Sequence, residues 1–289
     1  MNFKKFILSG VYLVLALASA DAVILFGTDD PWANTTAPTG ALAGSGWQYE
    51  GRWGVNSGTP IAPNYFITAD HVGGGVGQTF YFKEVPYTTT AQFKDPASDL
   101  RILQVAQTFA EFAPLYDKSD EVARALVVIG RGTQRGNPFT YRSSTRGWSW
   151  GFPDSVQRWG QNVVAQIVSG GANNDFLYAT FDQQGGAATS ASANEAHLSS
   201  GDSGGAVFLN DGGTWKLAGI NYAVDGPFYT SPADPTGFTA ALFDVRNFFY
   251  KNASSKYVLI TGKTAVPTGF YATRISTKVS WIRSIIGQP

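Results

Sequence analysis

The chain has 289 residues, a formal net charge of zero and no cysteine, and 44% of its residues are hydrophobic against 15% charged. This composition excludes a disordered chain, and the zero net charge excludes a global field that would attract nucleic acid or an anionic membrane. The absence of cysteine excludes a disulfide framework, a thiol nucleophile and a cysteine-ligated metal. We therefore expect a globular protein of one large or two modest domains, held together by its core alone.

Residues 1–20 have the features of a secretory signal peptide. Two lysines give a positively charged start, an apolar run follows, and Ala18-Ser19-Ala20 supplies a small-residue cleavage pattern, with an alternative cut after Ala22. A membrane-spanning helix needs about 20 apolar residues, which is more than this run supplies. We expect an exported protein, secreted or periplasmic, that has no membrane contact after the signal is removed.

Short runs of β-branched and aromatic residues, separated by glycine and proline, follow along the rest of the chain. Such a pattern is typical of all-β barrels and sandwiches. The predicted strands are 47–55, 65–68, 79–82, 100–105, 126–129, 162–168, 176–181, 206–209, 216–222, 257–260 and 269–275. Apolar residues at three- and four-residue spacings near the end predict one short amphipathic helix within 276–287. The polar segment 117–121 is interpreted as the start of a link between two halves.

The segment GDSGG, residues 201–205, places Ser203 between an acid and two glycines. A serine becomes a nucleophile when a base takes its proton, and that base is usually a histidine oriented by a carboxylate. The chain has two histidines. His71 follows a β-type run directly, whereas His197 lies six residues before Ser203 and would need a sharp fold-back to reach it. The sequence therefore favours His71 as the base.

The order of these residues distinguishes the classes of serine hydrolase. GDSGG also fits the G-x-S-x-G motif of α/β-hydrolases, but those enzymes place the histidine after the serine, and no histidine follows Ser203. The order acid, histidine, serine would use Asp29 or Asp30 and belongs to helix-rich chains of the subtilisin type. This chain is rich in predicted strands, so the order histidine, acid, serine remains.

Asp99 is the preferred candidate for the acid. It opens the apolar segment 100–103, where a carboxylate can be held half-buried beside an imidazole. Asp95 is followed by a proline and by no apolar strand. Asp70 would point away from its neighbour His71 if the strand continues.

Three segments resemble the signature blocks of the chymotrypsin/trypsin-like serine endopeptidases. They are ITADH at 67–71, DLRIL at 99–103 and GDSGGAV at 201–207, and they occur in the order of that family. The segment 269–274 and the predicted helix after it also resemble the family's last strand and terminal helix. The resemblance extends over residues 45–287, and the lack of cysteine resembles the disulfide-free, bacterial-type members.

The resemblance implies two six-stranded antiparallel β-barrels with the active site in the cleft between them. The first barrel is expected within 21–122 and the second within 123–289, with an insert near 225–268 and the helix at 276–287. The implied function is a monomeric secreted serine endopeptidase that acts on polypeptides through an acyl-enzyme intermediate, without cofactor or metal.

Site roles are carried over residue by residue from the resemblance. Ser203 would attack the scissile carbonyl, His71 would transfer the proton, and Asp99 would orient the imidazole. The backbone N–H groups of Gly201 and Ser203 would form the oxyanion hole. Asp202 would support the shape of the loop.

The expected substrate pocket departs from the family at several positions. Its candidate residues are His197, Leu198, Tyr222, Ala223, Val224 and Gly269. His197 stands where an acid would select lysine or arginine, so it argues against that specificity; it is either a polar pocket base or a buried structural residue. Tyr222 replaces a serine that normally supports the triad acid, and Val224 replaces a glycine at the pocket mouth. The insert is expected to form an extra loop or hairpin beside the pocket.

Activation and function leave alternatives open. Many members of the family become active when a new N-terminus beginning with Ile or Val inserts beside the acid before the serine, and cleavage after Ala22 would expose Val23. The competing functions are a catalytically silent binding protein of the same fold and an esterase-like serine hydrolase. A silent protein usually lacks a triad residue, and all three are present here.

Overall fold

The computed structural model describes residues 23–171, 174–184 and 192–287, so the predicted signal peptide lies outside the described residues. The strands are β1 Ile24–Leu25, β2 Gly51–Trp53, β3 Asn56–Ala62, β4 Tyr65–Ala69, β5 Thr79–Phe82, β6 Val85–Lys94, β7 Leu100–Val105, β8 Ala125–Gly130, β9 Thr133–Tyr141, β10 Ser144–Pro153, β11 Arg158–Val163, β12 Gln166–Ser169, β13 Asp175–Thr180, β14 Ala196–His197, β15 Ala206–Asp211, β16 Thr214–Val224, β17 Phe228–Tyr229, β18 Ala241–Leu242, β19 Phe249–Lys251, β20 Tyr257–Leu259 and β21 Gly269–Arg274. The helix α1 is Val279–Ile286, and single 3₁₀ turns occur at Gly40–Leu42, Trp47–Tyr49 and Asp70–Val72.

Strands β2 to β7 close an antiparallel barrel in the order β2-β3-β4-β7-β6-β5. Its interior is filled by aromatic side chains, among which Phe66, Phe80 and Phe82 are fully buried. The rings of Phe66 and Phe80 stack with their centroids 4.0 Å apart. Burying rings of this size supplies the largest apolar contribution available to a small barrel. The packed barrel gives β4 and β7 fixed positions, and both strands border the candidate site.

The second half is built on a seven-stranded antiparallel sheet in the order β11-β8-β15-β16-β21-β13-β12. The all-β prediction is therefore confirmed, with one more strand in this sheet than the six expected. The helix α1 packs on the core through Val279 and Ile282 and begins three residues after the predicted 276, following a turn. Lys278, the residue before the helix, pairs with Asp95 at 2.6 Å. No helix in the described part of the chain is long and apolar enough to cross a membrane.

Several strands were absent from the sequence prediction because their residues are not typical of strands. Strand β3 reads NSGTPIA, β6 contains three consecutive threonines of which only the middle one is buried, and the long hairpin β9–β10 carries glycines and prolines. Pairing with neighbouring strands outweighs local preference in each case. The predicted strand 47–55 is instead a 3₁₀ turn followed by the three-residue β2.

The insert at 225–268 folds as a small unit with its own core rather than as a simple loop. Strands β17, β19 and β20 form one sheet, and β18 joins the β9–β10 hairpin in another. Phe228, Leu242, Val245 and Phe248 are buried within it. Asp244 accepts hydrogen bonds from the guanidinium groups of Arg146 and Arg246, tying the unit to β10.

Candidate active site

His71 and Asp99 come together because their strands are neighbours. In the antiparallel pairing of β4 with β7, Ala69 faces Leu100, so the turn after β4 and the residue before β7 lie at the same end of the barrel. His71 lies in that turn, with its Nδ1 atom 2.5 Å from Asp99 Oδ2. The backbone N–H of His71 also donates to Asp99 Oδ1 at 3.0 Å. Asp99 is thus held by two bonds, and the imidazole ring has one fixed orientation.

Ser203 reaches the same point from the other half of the molecule. Its Oγ atom lies 2.7 Å from His71 Nε2, which completes a row from carboxylate to imidazole to hydroxyl. If the Nδ1 proton is donated to Asp99, Nε2 is left as the acceptor for the serine O–H. This arrangement can remove the hydroxyl proton as the oxygen attacks an electrophile.

The loop around Ser203 requires glycine at two positions. Gly204 has φ +80°, and a Cβ atom there would lie 2.3 Å from Thr68 Oγ1 in the first barrel. Gly201 has φ +93°. Side chains are disfavoured at such φ values, and only glycine allows the close approach of the loop to β4. The two glycines therefore allow Ser203 to reach across the cleft to His71.

Asp202 is a buried carboxylate that organises the same loop from inside. Its oxygens accept from the backbone N–H of Gly132 at 2.8 Å and from the backbone N–H of Ser199 at 2.7 Å. The nearby backbone N–H of Val23 also favours the carboxylate, but burial is the larger effect and raises the pKa of Asp202 to about 6. Val23 is buried where β1 begins, and β1 pairs with β14 just before the loop. The first described residue is therefore in contact with the acid that precedes Ser203.

Asn56 holds the peptide that follows Gly201. Its side-chain Nδ2 donates to the Gly201 carbonyl oxygen at 3.0 Å from the start of β3. Among the residues that the structure describes, the N–H groups of Gly201 and Ser203 donate to no protein acceptor. These two donors are available for an oxyanion, whereas the sequence carried no signal for Asn56 because it acts across the two halves.

A cavity of about 140 Å³ adjoins Ser203. Four predicted pocket residues line it: Leu198, Tyr222, Ala223 and Val224. Trp150 of β10 also lines it. The sequence pattern does not predict this, because the glycines and prolines of β9 and β10 are not typical of strands. Among the described residues of the lining, Asp202 is the only acid, and its oxygens are occupied by the loop's own donors.

His197 and Gly269 are the two predicted pocket residues that do not line this cavity. His197 is fully buried, with Nδ1 2.6 Å from the Leu198 carbonyl oxygen and Nε2 3.2 Å from Thr268 Oγ1. Burial lowers its pKa, which favours the neutral ring. The N–H of Gly269 donates to Asp225 beyond the end of the cavity. Of the two roles that the sequence left open for His197, the structure thus supports the buried structural residue, which lies behind the pocket wall.

The rival acids have other partners. Asp70 faces Lys94 and Arg101, and Arg101 in turn donates to the carbonyl groups of Gly73 and Gly74. Asp95 pairs with Lys278. Within the described ranges, no group of three or more histidine or acidic side chains is clustered as metal ligands would be.

Comparisons with known proteins bear on the fold alone. No family model and no curated protein sequence matches the chain. Among solved structures, it is similar to neuropsin, a serine protease expressed in the limbic system of mouse brain, with a TM-score of 0.52 and 11% identity, over 84% of this chain and 96% of that one. The chain has the chymotrypsin-type serine protease fold. In this fold, the row of Asp99, His71 and Ser203 lies between the closed barrel and the seven-stranded sheet.

Proposed function

We propose that this protein is a secreted serine endopeptidase that cleaves peptide bonds through Ser203, His71 and Asp99. The observation that carries the proposal is the continuous row from Asp99 Oδ2 through the imidazole to Ser203 Oγ, with links of 2.5 and 2.7 Å. A nucleophile, its base and an orienting acid at these distances form the minimal apparatus for acyl transfer. The resemblance of the three sequence segments and the fold both support this assignment.

Each step has a group in place. Ser203 Oγ bonds to the substrate carbonyl carbon while its proton passes to His71 Nε2, and the N–H groups of Gly201 and Ser203 stabilise the oxyanion. The imidazolium then gives that proton to the leaving amine as the C–N bond breaks, which leaves an ester on Ser203. Water attacks the ester with the same base and the same donors, and releases the acid product.

The end of β16 offers a binding edge for an extended peptide. The pairing of β15 with β16 stops at Ala206 and Ile220, so the last residues of β16 have no strand partner on the side facing Ser203. A substrate backbone can hydrogen-bond to such an open edge, with alternate side chains entering pockets. This feature favours peptides over simple esters, which could not use it.

The lining of the cavity beside Ser203 favours a neutral side chain at the residue whose carbonyl is attacked. A lysine or arginine side chain would find no available carboxylate among the described residues there, and burying an unpaired charge is strongly unfavourable. Leu198, Val224 and Trp150 supply an apolar surface instead.

The test uses the exported protein and its Ser203→Ala variant. Both are treated with a fluorophosphonate probe and then with a denatured protein mixture, and the cut sites are mapped. We expect labelling and cleavage after neutral residues in the wild type, and neither in the variant. A wild type that neither labels nor cuts after N-terminal processing would support the silent binding protein. A wild type that labels and hydrolyses esters but cuts no peptide would support the esterase.

A further inference from the structure

The insert encloses a second cavity, of about 410 Å³, that the proposed chemistry does not use. Its walls are largely apolar and include Pro227, Phe228, Val245, Ile260, Val266 and Pro267. Tyr250 and Lys251 border it, and Tyr250 is 41% exposed. The cavity therefore has a size and lining suited to a large apolar group that enters from solvent.

The chain runs directly from the site at Ser203 into this cavity. Val224, the last residue of β16, lines the cavity beside Ser203, and Asp225 and the residues after it line the second one. Asp225 is fixed in place because its carboxylate accepts from the hydroxyl groups of Tyr178 at 2.6 Å and Tyr271 at 2.7 Å. The two cavities thus have a fixed spacing along one strand.

Aromatic rings form a continuous floor between the two places. The Tyr222 ring lies 5.9 Å from the His71 ring and stacks on Phe176 with centroids 4.9 Å apart. Tyr271 contacts both Phe176, at 6.1 Å, and Tyr178, at 4.9 Å, and Tyr178 lines the second cavity. A peptide leaving the site at Ser203 along β16 would pass over this floor.

The geometry points to a distal substrate subsite. We propose that the second cavity takes a large apolar side chain, aromatic or leucine-like, from the acyl side of the substrate, three to five residues before the scissile bond. An extended peptide advances about 3.3 Å per residue, so one lying along the end of β16 reaches Asp225 after about three residues. His71 must face the leaving amine to protonate it, so the leaving part of the substrate lies on the His71 side. The Tyr222 ring contacts the His71 ring, and Asp225 lies three residues farther along the chain. The part of the substrate that runs away from His71 toward Asp225 is therefore the acyl part.

The insert's own core makes this subsite preformed. Phe228 and Val245 belong both to the cavity wall and to the buried cluster of the insert, so the wall is ordered before any ligand arrives. A preformed wall lowers the ordering entropy that binding must overcome. The inference rests on the proposed endopeptidase function and adds an extended sequence preference to it.

The test is a set of fluorogenic peptides with one neutral residue at the cleaved bond. A single phenylalanine is moved through positions two to six before that bond, with alanine elsewhere, and kcat/KM is measured. We expect one optimum at position three, four or five, roughly 10- to 100-fold above the all-alanine peptide, since burying a large apolar side chain has an effect of this order.

Two variants assign the preference to the cavity. Ile260→Trp fills it, and Tyr250→Ala removes part of its border; both should reduce the phenylalanine advantage to a few-fold or less. Leu259→Ala is the matched control, because Leu259 is 45% exposed in the same small sheet and does not line the cavity. A two-residue substrate too short to reach the insert should be cleaved equally by all four proteins.

The outcomes separate the two proposals. A wild type that cleaves the short substrate but shows no positional optimum overturns the distal subsite and leaves the endopeptidase function standing. The same holds if the optimum persists unchanged in both Ile260→Trp and Tyr250→Ala. A wild type that cleaves no peptide and resists the fluorophosphonate overturns the proposed function, and the distal subsite with it.

Discussion

Removal of residues 1–22 should raise the reactivity of Ser203, because it turns the backbone nitrogen of Val23, which faces Asp202, into a charged ammonium group. The backbone N–H of Val23 is close enough to the Asp202 carboxylate to lower its pKa. In the uncut chain this donor is a neutral amide, whereas cleavage after Ala22 makes it an ammonium group in the same place. Because β1 is already paired with β14, the charge arrives without a new strand pairing.

The pKa of Asp202 sets the size of the effect. Burial raises this pKa from 3.8 to about 6, and a difference of that size corresponds to about 3 kcal/mol against the ionised form. An ammonium group in that place favours the carboxylate and opposes this penalty. If the ammonium offsets the whole penalty of about 3 kcal/mol, the equilibrium population of the ordered loop relative to the disordered one, and with it the rate of fluorophosphonate labelling, should increase by up to about 100-fold.

The assay compares a chain that starts at Val23 with one that keeps Ala22, by the rate of fluorophosphonate labelling from about pH 5 to about pH 10, a range that spans the ordinary α-amino pKa. The carboxylate partner raises the pKa of the ammonium above its ordinary value of about 8. The advantage is therefore full between the pKa of Asp202, about 6, and that value; it shrinks at lower pH as Asp202 takes up a proton, and it is lost at higher pH as the pH rises through the raised pKa of the ammonium. An Asp202→Asn variant should make the two chains equal. Equal rates of the two unsubstituted chains at every pH would refute the reasoning.

Three further predictions concern single residues. Asn56→Ala removes the donor to the Gly201 carbonyl oxygen, so kcat should fall by roughly fivefold with little change in KM, since one hydrogen bond contributes about 1 kcal/mol; steady-state kinetics on a short peptide measure this. Gly204→Ala places a Cβ 2.3 Å from Thr68 Oγ1 and should reduce fluorophosphonate labelling by at least about 100-fold. Burial raises the pKa of Glu50 from 4.5 to about 8, so the folded state holds a proton that the unfolded state has released, and the free energy of unfolding falls as the pH rises between these values. Glu50→Gln should remove this fall and be more stable than the wild type above about pH 8, by roughly 5 kcal/mol, as urea unfolding at a series of pH values would show.

Each of these has a matched control or a contrary outcome. Asn56→Asp has the same shape without the donor, so activity at the wild-type level in that variant would contradict a positioning role. Gly212 has φ +63° and open space around it, so Gly212→Ala isolates the backbone strain; labelling lost equally in both glycine variants would exclude the steric explanation for Gly204. Parallel unfolding curves of wild type and Glu50→Gln against pH would show that Glu50 is not held protonated.

The candidate triad was accessible from the sequence because each member lies at the border of a recognisable strand. Ser203 sits in a glycine-rich loop before the apolar strand β15, Asp99 immediately precedes β7, and His71 lies in the turn that follows β4. The order of the three along the chain then excluded the other hydrolase classes. Their catalytic roles remain a prediction for the labelling experiment to test.

Features that depend on contacts between distant segments were not accessible in this way. Trp150 reaches the cavity beside Ser203 from a hairpin whose glycines and proline are atypical of strands. Asn56 acts through a hydrogen bond that joins residues 145 positions apart. His197 could be placed in the pocket or behind its wall until Thr268 and Leu198 were seen to satisfy its two nitrogens.

The sequence by itself determined the class of fold and the three residues of the row, because strand periodicity and a glycine-rich loop are local properties. Only the tertiary structure decided that the insert is a folded unit, that it encloses a cavity, and that an aromatic floor connects this cavity to His71. The physical reason is that cavities and ring contacts arise from the packing of elements far apart in the chain, and no local pattern encodes where such elements meet.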